Sequence, residues 1–143
     1  MKNKLPIDFK VCKDNIIRDS QHHPRVDNDI YQELLLMKQN GDTLSYEEET
    51  LYGQCIMTLV EIILNGPKFK FQDETIKNEC RTDAYVAICD CVPHYFKHDM
   101  GSKAVSYAYR VGYTSMIHVL EAHNMRADIM CRLDDAIEHT SNL

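Results

Sequence analysis

Apolar positions recur with a helical period along most of the chain. After Asp27-Asn28, a cap-like pair, Ile30 to Gln39 reads as a helix rich in Leu34, Leu35, Leu36 and Met37, and Asn40-Gly41 ends it. Ser45-Tyr46-Glu47-Glu48 has the form of a capping box. The helix it opens carries Leu51, Cys55, Leu59, Ile62 and Ile63, stops at Asn65-Gly66-Pro67, and is apolar enough to be the central one. A Phe69-Lys70-Phe71 link follows. The next helix is expected from Asp73 to about Cys91, with Pro93 kinking or ending it. Ser102 then caps a helix reaching about Ala122, and Asn124 caps a last one with Ile129, Leu133 and Ile137 at four-residue spacing.

Residues 1–28 break this pattern. They hold charges, a Gln21-His22-His23-Pro24 interruption and no helical period. Ile7-Asp8-Phe9-Lys10-Val11 alternates as a short strand does, but a docked or mobile arm fits the surrounding residues better. The expected fold is therefore all-α, a compact bundle of about five helices over residues 29–143 behind an extended N-terminal arm.

At 143 residues the chain is long enough for one domain with a sizeable core. No apolar run approaches the ~20 residues of a membrane span, and Met1–Lys4 does not open a signal peptide. A reducing cytoplasm is the expected setting, with no membrane partner. The six cysteines, among them Cys12, Cys55, Cys80 and Cys131 on apolar stretches, then read as reduced thiols. Net charge is −6, where a protein gripping duplex DNA alone would be basic. The excess lies in residues 45–75, while residues 76–123 balance five acidic groups against five basic ones. Strong independent DNA binding is not expected.

The chemistry concentrates on the helix after Ser102. On a helical wheel Val105, Ala108, Gly112, Met116 and Val119 form a core stripe with Tyr109 beside it. The opposite face lines up Tyr107, Arg110, Thr114 and His118: one ring, one cation and two hydrogen-bonding groups. A ring offers a stacking platform worth ~1–3 kcal/mol per unpaired base, and a neighbouring cation can meet phosphate. The same residues would also suit an ordinary solvated face. Cys89, Cys91, His94 and His98 are zinc-type ligands at close spacing, but on a helix the two cysteines point about 200° apart. No nucleophile–base pattern, paired catalytic carboxylates or nucleotide loop stands out, so neither an enzyme nor a cofactor is expected.

Three stretches taken in order resemble region 2 of bacterial sigma factors, in particular the short late-gene sigma factors of T-even-type phages. Glu79 to Phe96, closing in Val92-Pro93-His94-Tyr95, is similar to the helix that binds the polymerase clamp. Met100-Gly101-Ser102-Lys103 stands where the family has a short charged turn. Ser106-Tyr107-Ala108-Tyr109-Arg110 through Ile117 resembles the promoter-melting helix; upstream of these three, Leu51–Phe71 also resembles the late factors' apolar helix and Phe-x-Phe link. The likeness covers residues 50–124.

The resemblance implies that Tyr107 stacks on a flipped base and that Thr114 and His118 touch a −10-type element. Arg110 and Val111 stand where the family often has tryptophans that wedge the fork, which leaves Tyr109 and Tyr113 as wedge candidates. It further implies that Glu79, Thr82, Asp83, Val86 and Cys89, sharing a helix face, grip the coiled coil of the largest subunit of core RNA polymerase. A/T-rich, partly single-stranded promoter DNA is the other implied partner. Leu133-Asp134-Asp135-Ala136-Ile137 faintly echoes the phage tail that binds the replication sliding clamp, which adds a clamp or phage coactivator. Against the family, Pro93 interrupts the clamp-binding helix and residues 120–132 are less basic. The competing expectation is a small helical regulator that binds polymerase, inside a bacterial host, without touching DNA.

Overall fold

The computed structural model describes residues 5–141, of Ser141 the backbone only, so the Met1–Lys4 start lies outside the described residues. The chain is mainly helical. Strands β1 (Lys10–Val11) and β2 (Ile17–Arg18) precede helices α1 (Asn28–Gln39), α2 (Tyr46–Leu64), α3 (Glu74–Tyr95) and α4 (Ala104–Ser141). Among the described residues no helix is long and apolar enough to cross a membrane.

The expected arm is a docked hairpin. Lys10 pairs with Arg18 and Val11 with Ile17, antiparallel. Asn15 takes the left-handed conformation at φ 64° in the connecting turn, where the Asp14 side chain accepts from the Ile16 N–H at 3.1 Å. Ile17 is fully buried, and its N–H donates to Thr58 Oγ1 of α2 at 2.8 Å. Two apolar neighbours at the strand start, Ile16 and Ile17, supply the anchor that the alternation upstream did not indicate.

The first three helices begin where their capping residues stand. Asp27, Ser45 and Asp73 each accept from the backbone N–H three residues on, and Ser45 and Glu48 complete the capping box. Helix α2 is the core element: Leu51, Tyr52, Cys55, Ile56, Leu59, Val60, Ile63 and Leu64 are all buried. Tyr31 of α1 stacks on its Tyr52, with centroids 5.8 Å apart. Helix α3 passes Pro93 and runs to Tyr95. The Gln39 side-chain amide donates to the Pro93 and Phe96 carbonyls at 3.1 and 2.7 Å, which supports the helix end that the proline weakens.

The last helix departs most from expectation. Among the described residues there are four helices rather than about five, because α4 continues through Asn124 without a break. Residues 122–127, Ala-His-Asn-Met-Arg-Ala, contain no proline or glycine, and a lone asparagine costs a helix only a few tenths of a kcal/mol. Nor does Ser102 cap its start. Asn28 and Gln32 of α1 accept from the Val105 and Ala104 N–H groups at 3.1 and 3.3 Å. Helices α3 and α4 lie antiparallel: Glu79 reaches His123, and the Cys80 thiol lies by the Met116 carbonyl. Gly112 makes that approach possible, since a Cβ there would stand 2.9 Å from Ile63 Cδ1 and 3.0 Å from Ile88 Cδ1.

Candidate nucleic-acid interface

The core stripe of α4 faces inward, with Ala108, Gly112, Met116 and Val119 buried. That rotation turns Tyr107, Arg110, Thr114 and His118 to the other side. Together with Val111 and Ser115 they form one wall of a groove of about 620 Å³ whose other wall is Asp83, Ala87 and Cys91 of α3. The small Ala87 side chain keeps the groove open, and Cys91 lies beyond it along the same wall.

Tyr107 is half-buried. Its ring leans on Phe96, centroids 5.6 Å apart at 56°, and Phe96 is itself buried at the end of α3. The Arg110 guanidinium lies 5.9 Å over the Tyr107 ring and donates to Ser102 Oγ at 3.0 Å. The ring is thus backed by a rigid apolar support and covered from outside by a movable cation. Thr114 and His118 are exposed further along the same wall. Asp83 puts one carboxylate opposite them.

Tyr109 and Tyr113 do not join this groove. They stack on each other with centroids 6.2 Å apart at 12°, and Tyr113 meets the Phe69 ring edge-on at 5.5 Å. They form a separate aromatic patch beside the α2–α3 link, because one hundred degrees per residue carries positions 109 and 113 away from position 107. Tyr109, 38% exposed, remains open to solvent.

The expected polymerase-facing set is likewise divided. Glu79 is hydrogen-bonded to His123 of α4. Asp83 turns to the groove just described, and Cys89 turns the other way, into a hollow shared with Lys38, Tyr85 and Pro93. Burial pushes the Cys89 thiol above its ordinary range. Only Thr82 and Val86 stay together, on the border of a second concavity of about 660 Å³ between the hairpin, α2 and α3. Ile16, Met57, Val60 and Tyr85 give it an apolar lining, and Val86 is 50% exposed at its edge. Two ion pairs rim it, Arg18–Asp14 at 3.0 Å and Arg81–Glu61. The hydrogen bond from Arg18 holds the Asp14 carboxyl below the usual carboxylate range. Sequence reasoning missed this concavity; the apolar Ile16-Ile17 pair after an Asp-Asn turn was the available sign of the hairpin wall.

Cys89 and Cys91 face different hollows, and among the described residues no three His, Cys, Asp or Glu side chains are placed to hold a metal ion. Comparison with known protein families, with curated proteins and with solved structures yields no match.

Proposed function

We propose that this chain is a minimal sigma-like initiation factor that binds bacterial core RNA polymerase and melts a short A/T-rich −10-type promoter element. The observation that carries the reading is the single groove wall formed by Tyr107, Arg110, Thr114 and His118. An unpaired base entering the groove displaces the Arg110 guanidinium from the Tyr107 ring and stacks there instead. A cation over an exposed ring is worth ~0.5–1 kcal/mol, against ~1–3 kcal/mol for a stacked base, so the exchange is favourable. The displaced guanidinium is then released toward phosphate. Thr114 and His118 offer hydrogen bonds to base edges or backbone along the same wall. Trapping flipped bases offsets the few kcal/mol needed to unstack A/T-rich DNA.

Core polymerase supplies the chemistry and most of the DNA grip, which makes a net charge of −6 tolerable. Thr82 and Val86, on the rim of the apolar concavity, are the best-placed part of the polymerase-binding face, flanked by the acidic Glu79 and Asp83 on the same helix. Tyr109 and Tyr113 act as a fork wedge beside the groove. The Leu133–Ile137 run lies within α4 as part of its helical surface.

The second reading, a polymerase-binding regulator that never touches DNA, draws support from Asp83 in the groove wall and from the acidic balance. Tyr107→Ala separates the two. The initiation factor loses permanganate-detected promoter opening on A/T-rich templates while still pulling down core polymerase. Unchanged activity of the variant overturns promoter melting, and failure of the wild type to bind core polymerase overturns both readings.

A further inference from the structure

From Asn124 to Thr140 every residue of α4 is exposed, because the helix runs on past Leu120, the last buried residue of the bundle. A solitary helix of that length is marginal in water. This one also carries large apolar groups: Met125 is 66% exposed, Ile129 50% and Leu133 52%. At one hundred degrees per residue, Ala122, Met125, Ile129, Leu133, Ala136 and Thr140 fall on one stripe. An amphipathic extension of this kind is built to be covered.

Its charges indicate by what. Asp128 and Arg132 stand two residues either side of Met130, Arg126 and Asp134 four residues either side, and Glu121 and His139 nine either side. Every one of these equidistant pairs joins an acidic group to a basic or protonatable one. The remaining acids, Asp135 and Glu138, stand opposite Met125 and Ala122, so no like-charged pair arises. Asp128, Arg132, Glu121 and His139 also share one flank of the apolar stripe, where groups of the same flank meet across an antiparallel helix pair.

We propose that the emergent half of α4 is a self-recognition surface that pairs antiparallel with the same segment of a second copy, about a two-fold axis beside Met130 and Cys131. Ile129 then packs beside the second copy's Leu133, Met125 beside its Ala136, and Ala122 beside its Thr140. Asp128 and Arg132 form two symmetry-related ion pairs. The arrangement is isologous and closes at two copies. It sends the two bundles to opposite ends of the helix pair. The inference is independent of the promoter-opening reading.

Sedimentation velocity on the full chain, from low micromolar to submillimolar concentration, tests it. The wild type shifts from monomer to dimer across that range. Asp128→Arg or Arg132→Asp, each altering two symmetry-related contacts, weakens the dimer by about tenfold or more. The double variant Asp128→Arg/Arg132→Asp recovers it, with circular dichroism confirming unchanged folding. A chain that stays monomeric throughout overturns the proposal. So does a dimer indifferent to the single substitutions, or one that the double variant fails to restore.

Discussion

The backbone N–H of Ile17 donates to Thr58 Oγ1 across 2.8 Å of buried space, and the same hydroxyl donates to the Gln54 carbonyl at 2.7 Å. One threonine therefore fastens a two-residue strand to the central helix. Thr58→Val keeps the shape but leaves a buried N–H without an acceptor, which costs about 1–3 kcal/mol. The expected outcome is a lowered melting temperature together with early proteolysis within residues 10–25. Equal protection of hairpin and helices in the variant would show that the fastening lies elsewhere.

Ala87 keeps the α3–α4 groove open. Ala87→Trp fills it from the α3 wall without touching the core, so stability should change by no more than about 0.5 kcal/mol. Promoter opening, measured by permanganate reactivity, should fall as far as in Tyr107→Ala. A tryptophan variant that opens promoters normally would remove the groove from the mechanism.

Gly112 is a contact point rather than a flexible joint. An exposed helical Gly→Ala change gains about 1 kcal/mol. Here the added Cβ meets Ile63 and Ile88 Cδ1 atoms at 2.9 and 3.0 Å, so that gain is cancelled as both side chains shift. Gly112→Val should destabilise by roughly 1–3 kcal/mol. Denaturant midpoints for the two variants give the comparison directly.

Much of the fold could be read ahead of the coordinates, and the reason is local. Asp27, Ser45 with Glu48, and Asp73 act on backbone groups within their own first turns, so their type and position announce where three helices begin. The four residues of the groove wall were visible on a wheel for the same reason. What stayed hidden depends on distant partners. The cap of α4 comes from Asn28, 77 positions before Val105, and nothing near Ser102 reveals it. Asn124 could cap a helix or sit within one, and only the absence of a neighbouring breaker decides for the second. The division of Glu79, Thr82, Asp83, Val86 and Cys89 among several surroundings depends on how α2 and α4 pack against α3.

Burial shapes the behaviour of the thiols and phenols. Cys55 is pushed up to about 12 and Cys80 up to about 11, while the Tyr31 and Tyr52 hydroxyls are driven well above their usual range, all chiefly by desolvation. Their neutral forms are favoured in the folded chain. Between about pH 9 and pH 12 the unfolded chain releases these protons while the folded one keeps them, so stability falls as pH rises through that window. Equilibrium unfolding at pH 7, 9 and 11 should show progressive loss. At pH 8 a thiol reagent should label exposed Cys131 quickly and spare Cys55 and Cys80 until denaturant is added.

Helix α1 lines none of the α3–α4 groove, yet it holds both ends of the turn that builds it. Gln39 fastens the Pro93 and Phe96 carbonyls, and Asn28 and Gln32 fasten the first amides of α4. The tilt of the Tyr107 ring on Phe96 is accordingly governed from twelve residues near the beginning of the polypeptide. Anything that tugs on those residues acts as a remote lever on the nucleotide seat, with no need to enter it.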